Sequence, residues 1–200
     1  MYLLTETASP FALERWAAFF ANFGQFAKGF FYTLGISIGA LIVALLLGLI
    51  FGAMSSTHNK VLRGISRVYV EIFQNTPLLV QFVVVFYGIS ILTDGHVMIP
   101  ISLTAILCVG VYTGAYISEI IRTGIEAVPK GQTEAALSQG FTYADTMRII
   151  ILPQAVRTIL PPLTNQVVNL IKNTSTVAII SGADIMFTAK AWAYDTTNYV

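Results

Sequence analysis

The sequence is poor in charge. Its 200 residues carry eleven Lys and Arg against ten Asp and Glu, 10% in all, with a formal net charge of +1. Soluble domains carry about 25%, so this chain cannot cover a globular surface with hydrated groups. Disorder is excluded as well, because it needs low hydrophobicity and high net charge. The near-zero balance excludes a strongly basic nucleic-acid binder, and no nucleic acid is expected as a partner. A single cysteine, Cys108, excludes a disulfide framework and a thiolate zinc cluster. What is abundant is apolar: 56% of the residues are hydrophobic, and the mean hydropathy is +0.74. What remains is an integral membrane protein, and its long charge-free stretches make the expected fold class all-α.

The few charges are unevenly spaced. Residues 29–59, 72–93 and 95–118 hold no formal charge over 31, 22 and 24 positions. Each is long enough to cross about 30 Å of hydrocarbon at 1.5 Å per residue. A fourth stretch, 158–171, has only 14. It is read as the middle of a fourth helix, from about Pro153 to Lys172. An irregular Asn173–Thr176 segment is expected next, tolerated at membrane depth only where protein or water covers it. Residues 1–28 interleave Phe11, Trp16, Phe19, Phe20, Phe23 and Phe26 with Glu14, Arg15 and Lys28, and read as an amphipathic segment along the bilayer surface. They lack the basic start and compact apolar core of a signal peptide. Residues 29–200 form the second unit. Lys60, Arg63 and Arg67 in the first loop, and Arg122, Lys130, Arg148 and Arg157 around the third, place both loops in the cytoplasm; the second loop has only Asp94 and His96. Four spans would leave both ends of the chain outside.

Several residues invite a bland reading. The GxxxG pairs Gly35/Gly39, Gly48/Gly52 and Gly110/Gly114 predict close helix contacts. Arg67 and Glu71, at i,i+4, and Glu119 and Arg122, at i,i+3, read as local ion pairs. Cys108 reads as a packing residue and His96 has no metal-ligand companions. Pro77 frees the Phe73 carbonyl and predicts an irregular turn in the second span. Near it, Asn75, Thr76 and Gln81 either bond neighbouring helices or line a path. In the fourth span Asn165, Asn169 and Lys172 share a face at i, i+4, i+7, joined by Thr176 only if the helix continues. They read either as interhelical bonding with a snorkelling lysine or as the wall of a central cavity. Pro161 and Pro162 free the Arg157 and Thr158 carbonyls nearby.

The segment of about 119–153 is long for a connector. Pro129-Lys130-Gly131 is a turn, and 134–139 is strongly helix-forming. With Gly131 as N-cap, Glu134 would sit at the third helical position. Gly140 is placed to end that helix in the left-handed conformation, and Thr142-x-x-Asp145 opens another. A solvated connector and a docking element for a cytoplasmic partner both fit this pattern.

Glu134-Ala135-Ala136, then Gly140, Ile150 and Leu152-Pro153, resembles the EAA motif of bacterial ABC importer permeases. Arg122-Thr123-Gly124-Ile125, Val128–Gln132, Asn75–Gln81, Pro153–Arg157 and Leu170–Ser175 are similar to the polar amino-acid uptake family. The resemblance covers about residues 31–183. It implies a type I ABC importer transmembrane core with a cytoplasmic coupling helix, in the inner membrane of a bacterium. It implies ATP-binding cassette ATPase subunits as partners, with a second permease chain and an extracytoplasmic amino-acid-binding protein. Glu134, Ala135, Ala136 and Gly140 would couple to the ATPase. Asn75, Gln81, Asn165, Gln166, Asn169 and Lys172 are the candidates for the substrate path. The chain has no G-x-x-x-x-G-K-[ST] phosphate loop, so ATP and magnesium are expected in the partner ATPase and no cofactor in this chain. The alternative is an ATP-independent channel or facilitator. No nucleophile–base pair supports a membrane enzyme. Gln166, neutral at a mid-helix position, favours a non-basic substrate such as glutamine or glutamate. The family has five core spans, so one closing span is expected to be missing from the chain.

Overall fold

The computed structural model describes residues 13–196, and every regular element among them is helical. Helix α1 is Leu13–Ala21, α2 Phe23–Ser55 and α3 Lys60–Asn75; α4 is Leu78–Leu92 with a π turn at Val84–Gly88, and α5 is Ile101–Glu126. Helix α6 is Lys130–Ser138 and α7 is Leu152–Asn173. A 3-10 stretch, Thr174–Ile180, and α8, Ile185–Thr196, follow.

The centre is the pair α2 and α5. By length and composition both are fit to cross a membrane, and α3 with α4 makes a third crossing if the bent pair is one span. Small residues let the two helices close on each other. A Cβ built on Gly110 would stand 2.7 Å from the Cβ of Val43, and one on Gly52 2.8 Å from that of Ile121. The buried core runs through Ile36, Ala40 and Ala44 of α2, Ala105, Cys108, Val109 and Ile117 of α5, Phe82 of α4 and Leu170 of α7. Cys108 is a packing residue there. On the outer side of α2, Phe31, Leu34, Ile38, Ile42, Leu46 and Leu49 are exposed, as lipid contact requires.

Four boundaries differ from the sequence expectation, each for a local reason. Helix α2 begins at Phe23, so the division at residue 28 falls inside one helix. Within the described part of residues 1–28, α1 is a separate helix beside it; residues 1–12 lie outside the described residues. Lys60, Arg63 and Arg67 sit on α3 rather than in a loop. The connection is only 56–59, because Asn59 Oδ1 accepts from the Val61 and Leu62 N–H groups and starts the helix.

The third difference lies just before Pro153: α7 starts at Leu152 with Pro153 in its first turn and ends at Asn173, close to the expected bounds, but it is not preceded by a break. A short turn of helix at Tyr143–Asp145 and a π turn at Thr146–Ile151 lead without a break into α7. Proline lacks an N–H and crowds the carbonyl four residues back; the wider π turn accommodates it. Finally, Asn173–Thr176 is not irregular. The chain tightens into the 3-10 stretch, where Thr174 Oγ1 donates to the Ile171 carbonyl and Ser175 Oγ to that of Lys172. Helix α7, 22 residues long, spans about 33 Å. It carries polar residues on one face, so it cannot cross in contact with lipid all round.

Candidate functional site

Two regions hold the residues singled out above. The first is the end of the molecule bearing Lys60 and Lys130. Here α6 starts at Pro129, not Gly131, and Glu134 is the fifth helical residue; its carboxylate is too far along to serve the first turn. The end of α6 is a full Schellman motif. Phe141 N–H donates to the Ala136 carbonyl at 3.1 Å, Gly140 N–H to the Leu137 carbonyl at 3.0 Å, and Gly140 has φ +87°. Thr142 then starts the next turn, its Oγ1 accepting from the Asp145 N–H at 3.2 Å. Ala136 is buried against the π turn side, whereas Glu134, Ala135, Gly140, Leu137 and Phe141 are exposed. Glu134, Ala135 and Ala136 therefore lie on one short helix that Gly140 ends, with Ala136 inward and Glu134 and Leu137 on its exposed surface. Val128, Ile151 and Ala155, backed by Ile125 and Met147, form the small core on which it stands. His58 of the first connection packs edge-on against Tyr143, ring centroids 5.0 Å apart.

The second region is the bend and α7. Helices α3 and α4 meet at 97°. Gln81 is buried, and its Nε2 donates to the carbonyls of Phe73 at 3.2 Å and Thr76 at 3.0 Å. Its amide nitrogen is thereby committed to the backbone that Pro77 leaves open. Asn75, the last residue of α3, is exposed. On α7 Asn165, Asn169 and Lys172 are exposed and Gln166 is half-buried, so the first three do form one uncovered polar face. Thr176 falls in the 3-10 stretch and leaves that register. Asn75 and Gln81 lie on separate helices from this face, and among the described residues no hydrogen bond joins them to it.

The two expected ion pairs, Arg67 with Glu71 and Arg122 with Glu119, both form; Glu126 as a second partner of Arg122, and the contacts of Tyr69, Gln74, Tyr112 and Tyr116, were not expected. Arg122 of α5 donates Nε to Glu119 Oε2 at 2.9 Å and Nη1 to Glu126 Oε2 at 2.5 Å. Arg67 pairs with Glu71 at 2.8 Å. The hydroxyls of Tyr112 and Tyr116 lie 3.1 Å apart. The i,i+4 spacing of tyrosines inside an apolar helix was the available signal. Tyr69 and Gln74 tie α3 to α5 by donating to the carbonyls of Val111 at 2.8 Å and Ala115 at 3.2 Å.

At the opposite end, α8 returns to α2. Asp184 is buried and caps α8, with Oδ1 accepting from Phe187 N–H at 2.9 Å, and Ile185 N–H donates to Thr33 Oγ1 at 3.1 Å. Burial pushes the Asp184 carboxyl above the usual range, opposed by its backbone donors and by Lys190.

Comparison with known proteins agrees with this arrangement. The family described as binding-protein-dependent transport system inner membrane component matches residues 44–200. A probable glutamine ABC transporter permease protein, GlnM of Bacillus subtilis, is 41% identical, over 85% of this chain and 77% of the relative. The glutamate/aspartate import permease protein GltJ of Escherichia coli K12 is 35% identical, over 84% of this chain and 76% of the relative. A crystal structure of an amino acid ABC transporter superposes with a TM-score of 0.84 at 33% identity, covering 92% of this chain and 84% of the other. The MetNI methionine ABC transporter, in an inward-facing form, gives 0.69 at 18% identity, over 89% and 83%, and shares the fold.

Proposed function

Because the chain belongs to the family of binding-protein-dependent transport system inner membrane components, we propose that it is the membrane-spanning subunit of an ATP-driven amino-acid importer in a bacterial inner membrane. The observation that carries this reading is the α6 helix. It is an exposed element at the end bearing Lys60 and Lys130, inside the matched residues, carrying Glu134-Ala135-Ala136 and ended by Gly140. ATP-binding subunits dock on that surface and hold the nucleotide and its magnesium. Their closure moves α6. Because the chain is continuously helical from 143 to 173, that motion passes into α7 as a rigid-body displacement. A second permease chain completes the core, and an extracytoplasmic binding protein supplies the amino acid.

In this reading the path follows the exposed face of Asn165, Asn169 and Lys172, with Gln166 beside it and Asn75 near the bend. Gln81 acts as a positioning residue that fixes the bend. Helix α7 has Arg157 and Lys172 but no acidic residue, which suits a substrate with a neutral or anionic side chain. The names of the glutamine and glutamate/aspartate relatives support the same class.

The test is co-expression with the cognate ATP-binding subunit. Copurification of the two, and ATP hydrolysis stimulated by the binding protein loaded with glutamine or glutamate in proteoliposomes, are expected. Substrate flux through the permease alone, without any ATPase, would overturn the reading in favour of a facilitator.

A further inference from the structure

Thr174–Ile180 is seven residues of 3-10 helix between α7 and α8. Runs beyond three or four residues are uncommon, because the hydrogen bonds are poorer than in an α-helix, and such a stretch within a helical path often marks a hinge. The burial pattern fits the tighter helix. Thr174, Val177 and Ile180 are spaced by three and are 0%, 0% and 2% exposed, whereas Ile179 is 48% exposed. At three residues per turn the first three side chains lie in one row. At 3.6 per turn Ile180 would stand about 120° from Thr174, pointing where Ile179 points now, and Ser181 would come back to within about 20° of Thr174.

The far end of the stretch is strained. Gly182 N–H donates to the Val177 carbonyl at 3.1 Å and Ser181 N–H to that of Ala178 at 3.3 Å, the same pattern that ends α6. There the left-handed position belongs to Gly140; here it belongs to Ser181, at φ +60°, where a side chain is disfavoured. The glycine comes one place later, because a Cβ on Gly182 would stand 2.7 Å from Val177 Cγ2. In a continued α-helix Ser181 would return to the right-handed region and lose that strain. Burial of Ile180 favours the 3-10 form and the strain at Ser181 opposes it, so two arrangements of one segment compete.

The position of the stretch gives the competition a use. Helix α8 is tied to α2 through the Ile185 N–H to Thr33 Oγ1 bond, and Gly29 of α2 lets Thr188 close in, its Oγ1 2.8 Å from where a Cβ would stand. Helix α7 is continuous with the turns that follow α6. Any shift of α7 along its axis against α8 therefore falls on residues 174–180. Seven residues rise about 14 Å as 3-10 and about 10.5 Å as α-helix, so the change takes up about 3.5 Å. The Thr174 and Ser175 hydroxyls, which donate to carbonyls three residues back, can turn to those four back, so neither is orphaned.

We infer that Thr174–Ile180 is a two-state hinge that changes between 3-10 and α-helix, turning Ile180 out of the core and Ser181 toward it, as α7 moves against α8. The transport reading enters only as the source of that motion.

The experiment reads thiol reactivity in the assembled transporter, in a Cys108→Ala background, with a small maleimide that labels Ile179→Cys at rest. Ser181→Cys should also react at rest, and Ile180→Cys only slowly. While ATP and loaded binding protein drive turnover, Ile180→Cys should react faster and Ser181→Cys more slowly, with Thr174→Cys unreactive throughout. Ser181→Gly added to Ile180→Cys should lower its resting rate roughly 3- to 10-fold, because glycine relieves the left-handed strain and disfavours the α form. In the chain without introduced cysteines, Ser181→Gly should slow amide hydrogen exchange at residues 181 and 182 by a similar factor. Unchanged rates at Ile180→Cys and Ser181→Cys during ATP hydrolysis would overturn the hinge. So would exposure of Thr174→Cys together with Ile180→Cys, which marks local unfolding, or the absence of any effect of Ser181→Gly. The Ser181→Gly comparisons use no ATP or amino acid, so their failure is separate from failure of the transport reading.

Discussion

Gln81 donates its side-chain amide to the Phe73 carbonyl at 3.2 Å. That carbonyl is the one Pro77 deprives of its i+4 donor, and the same amide reaches Thr76. One buried side chain thus satisfies two of the carbonyls left open at a 97° bend. This is how a broken helix is tolerated where water is excluded.

Gln81→Leu should therefore be costly despite its similar size. It leaves two carbonyls without donors, at about 1–3 kcal/mol for a buried unsatisfied group. A lowered melting temperature of the purified complex, with transport reduced in step, is expected. Gln81→Glu loses the donor when ionised and should fare no better. A Leu variant as stable as wild type would show that the bend is held by packing alone.

The close approach of α2 and α5 gives a second test. A Cβ on Gly48 would overlap Ile117 Cγ2 most closely and stand 2.7 Å from the Ile117 Cβ. Gly48→Val should overpack the interface and cost about 1–3 kcal/mol. Ile117→Ala should recover part of that loss, although alone it destabilises by opening a cavity. Additive losses in the double variant, read by thermal melting, would mean that the two sites do not meet.

Much of this was legible in the sequence. The charge-free stretches marked α2 and α5, Pro77 marked the bend and the carbonyl it frees, and Gly140 was expected in the left-handed conformation it adopts. These signals are local, set by one residue's backbone chemistry. The sealing role of Gln81 was not legible, because it depends on a fold-back that sequence spacing does not describe. Nor was the run from Tyr143 into α7. Pro153 alone predicts a helix start, and only the π turn before it lets the helix pass through. Gly131 as a cap lost to Pro129, whose fixed φ of −54° begins the helix two residues earlier.

Gly140→Val tests the α6 element. With φ +87°, a branched side chain is strained by about 1 kcal/mol or more, and the Schellman bonds at Phe141 and Gly140 loosen. The variant should insert normally but assemble poorly with the ATP-binding subunit. Unchanged substrate-stimulated ATP hydrolysis would remove α6 as the coupling element.

Asp184 should give the contact of α8 with α2 a pH dependence. Its folded-state pKa is raised above the ordinary 3.8, mainly by burial. The folded form then holds the proton more tightly than the unfolded one. Its stability contribution is complete below about 3.8 and is lost as pH rises through the raised value. Asp184→Asn keeps an oxygen to accept from the Phe187 N–H but does not titrate. The fall in melting temperature on going upward from about pH 4 should flatten in this variant. An identical pH profile would place the dependence on another group.

The exposed face of α7 carries the last prediction. Asn165, Asn169 and Lys172 are uncovered by this chain, and two amides and an ammonium facing hydrocarbon would be costly. Protein or water must therefore meet them. If the face is interhelical glue, both asparagines are sealed in every state. If it lines a cavity, water reaches them, and reach changes as the bundle rocks. Asn165→Cys and Asn169→Cys, introduced into a Cys108→Ala background in the assembled transporter, should react with a small water-soluble thiol reagent. The reaction rate should change when ATP and loaded binding protein drive cycling. Leu160→Cys, exposed on α7 but apolar, serves as a lipid-facing control and should react slowly throughout. If both asparagine positions stay as unreactive as this control in every state, the path runs elsewhere, and Lys172 has no substrate carboxylate to attract.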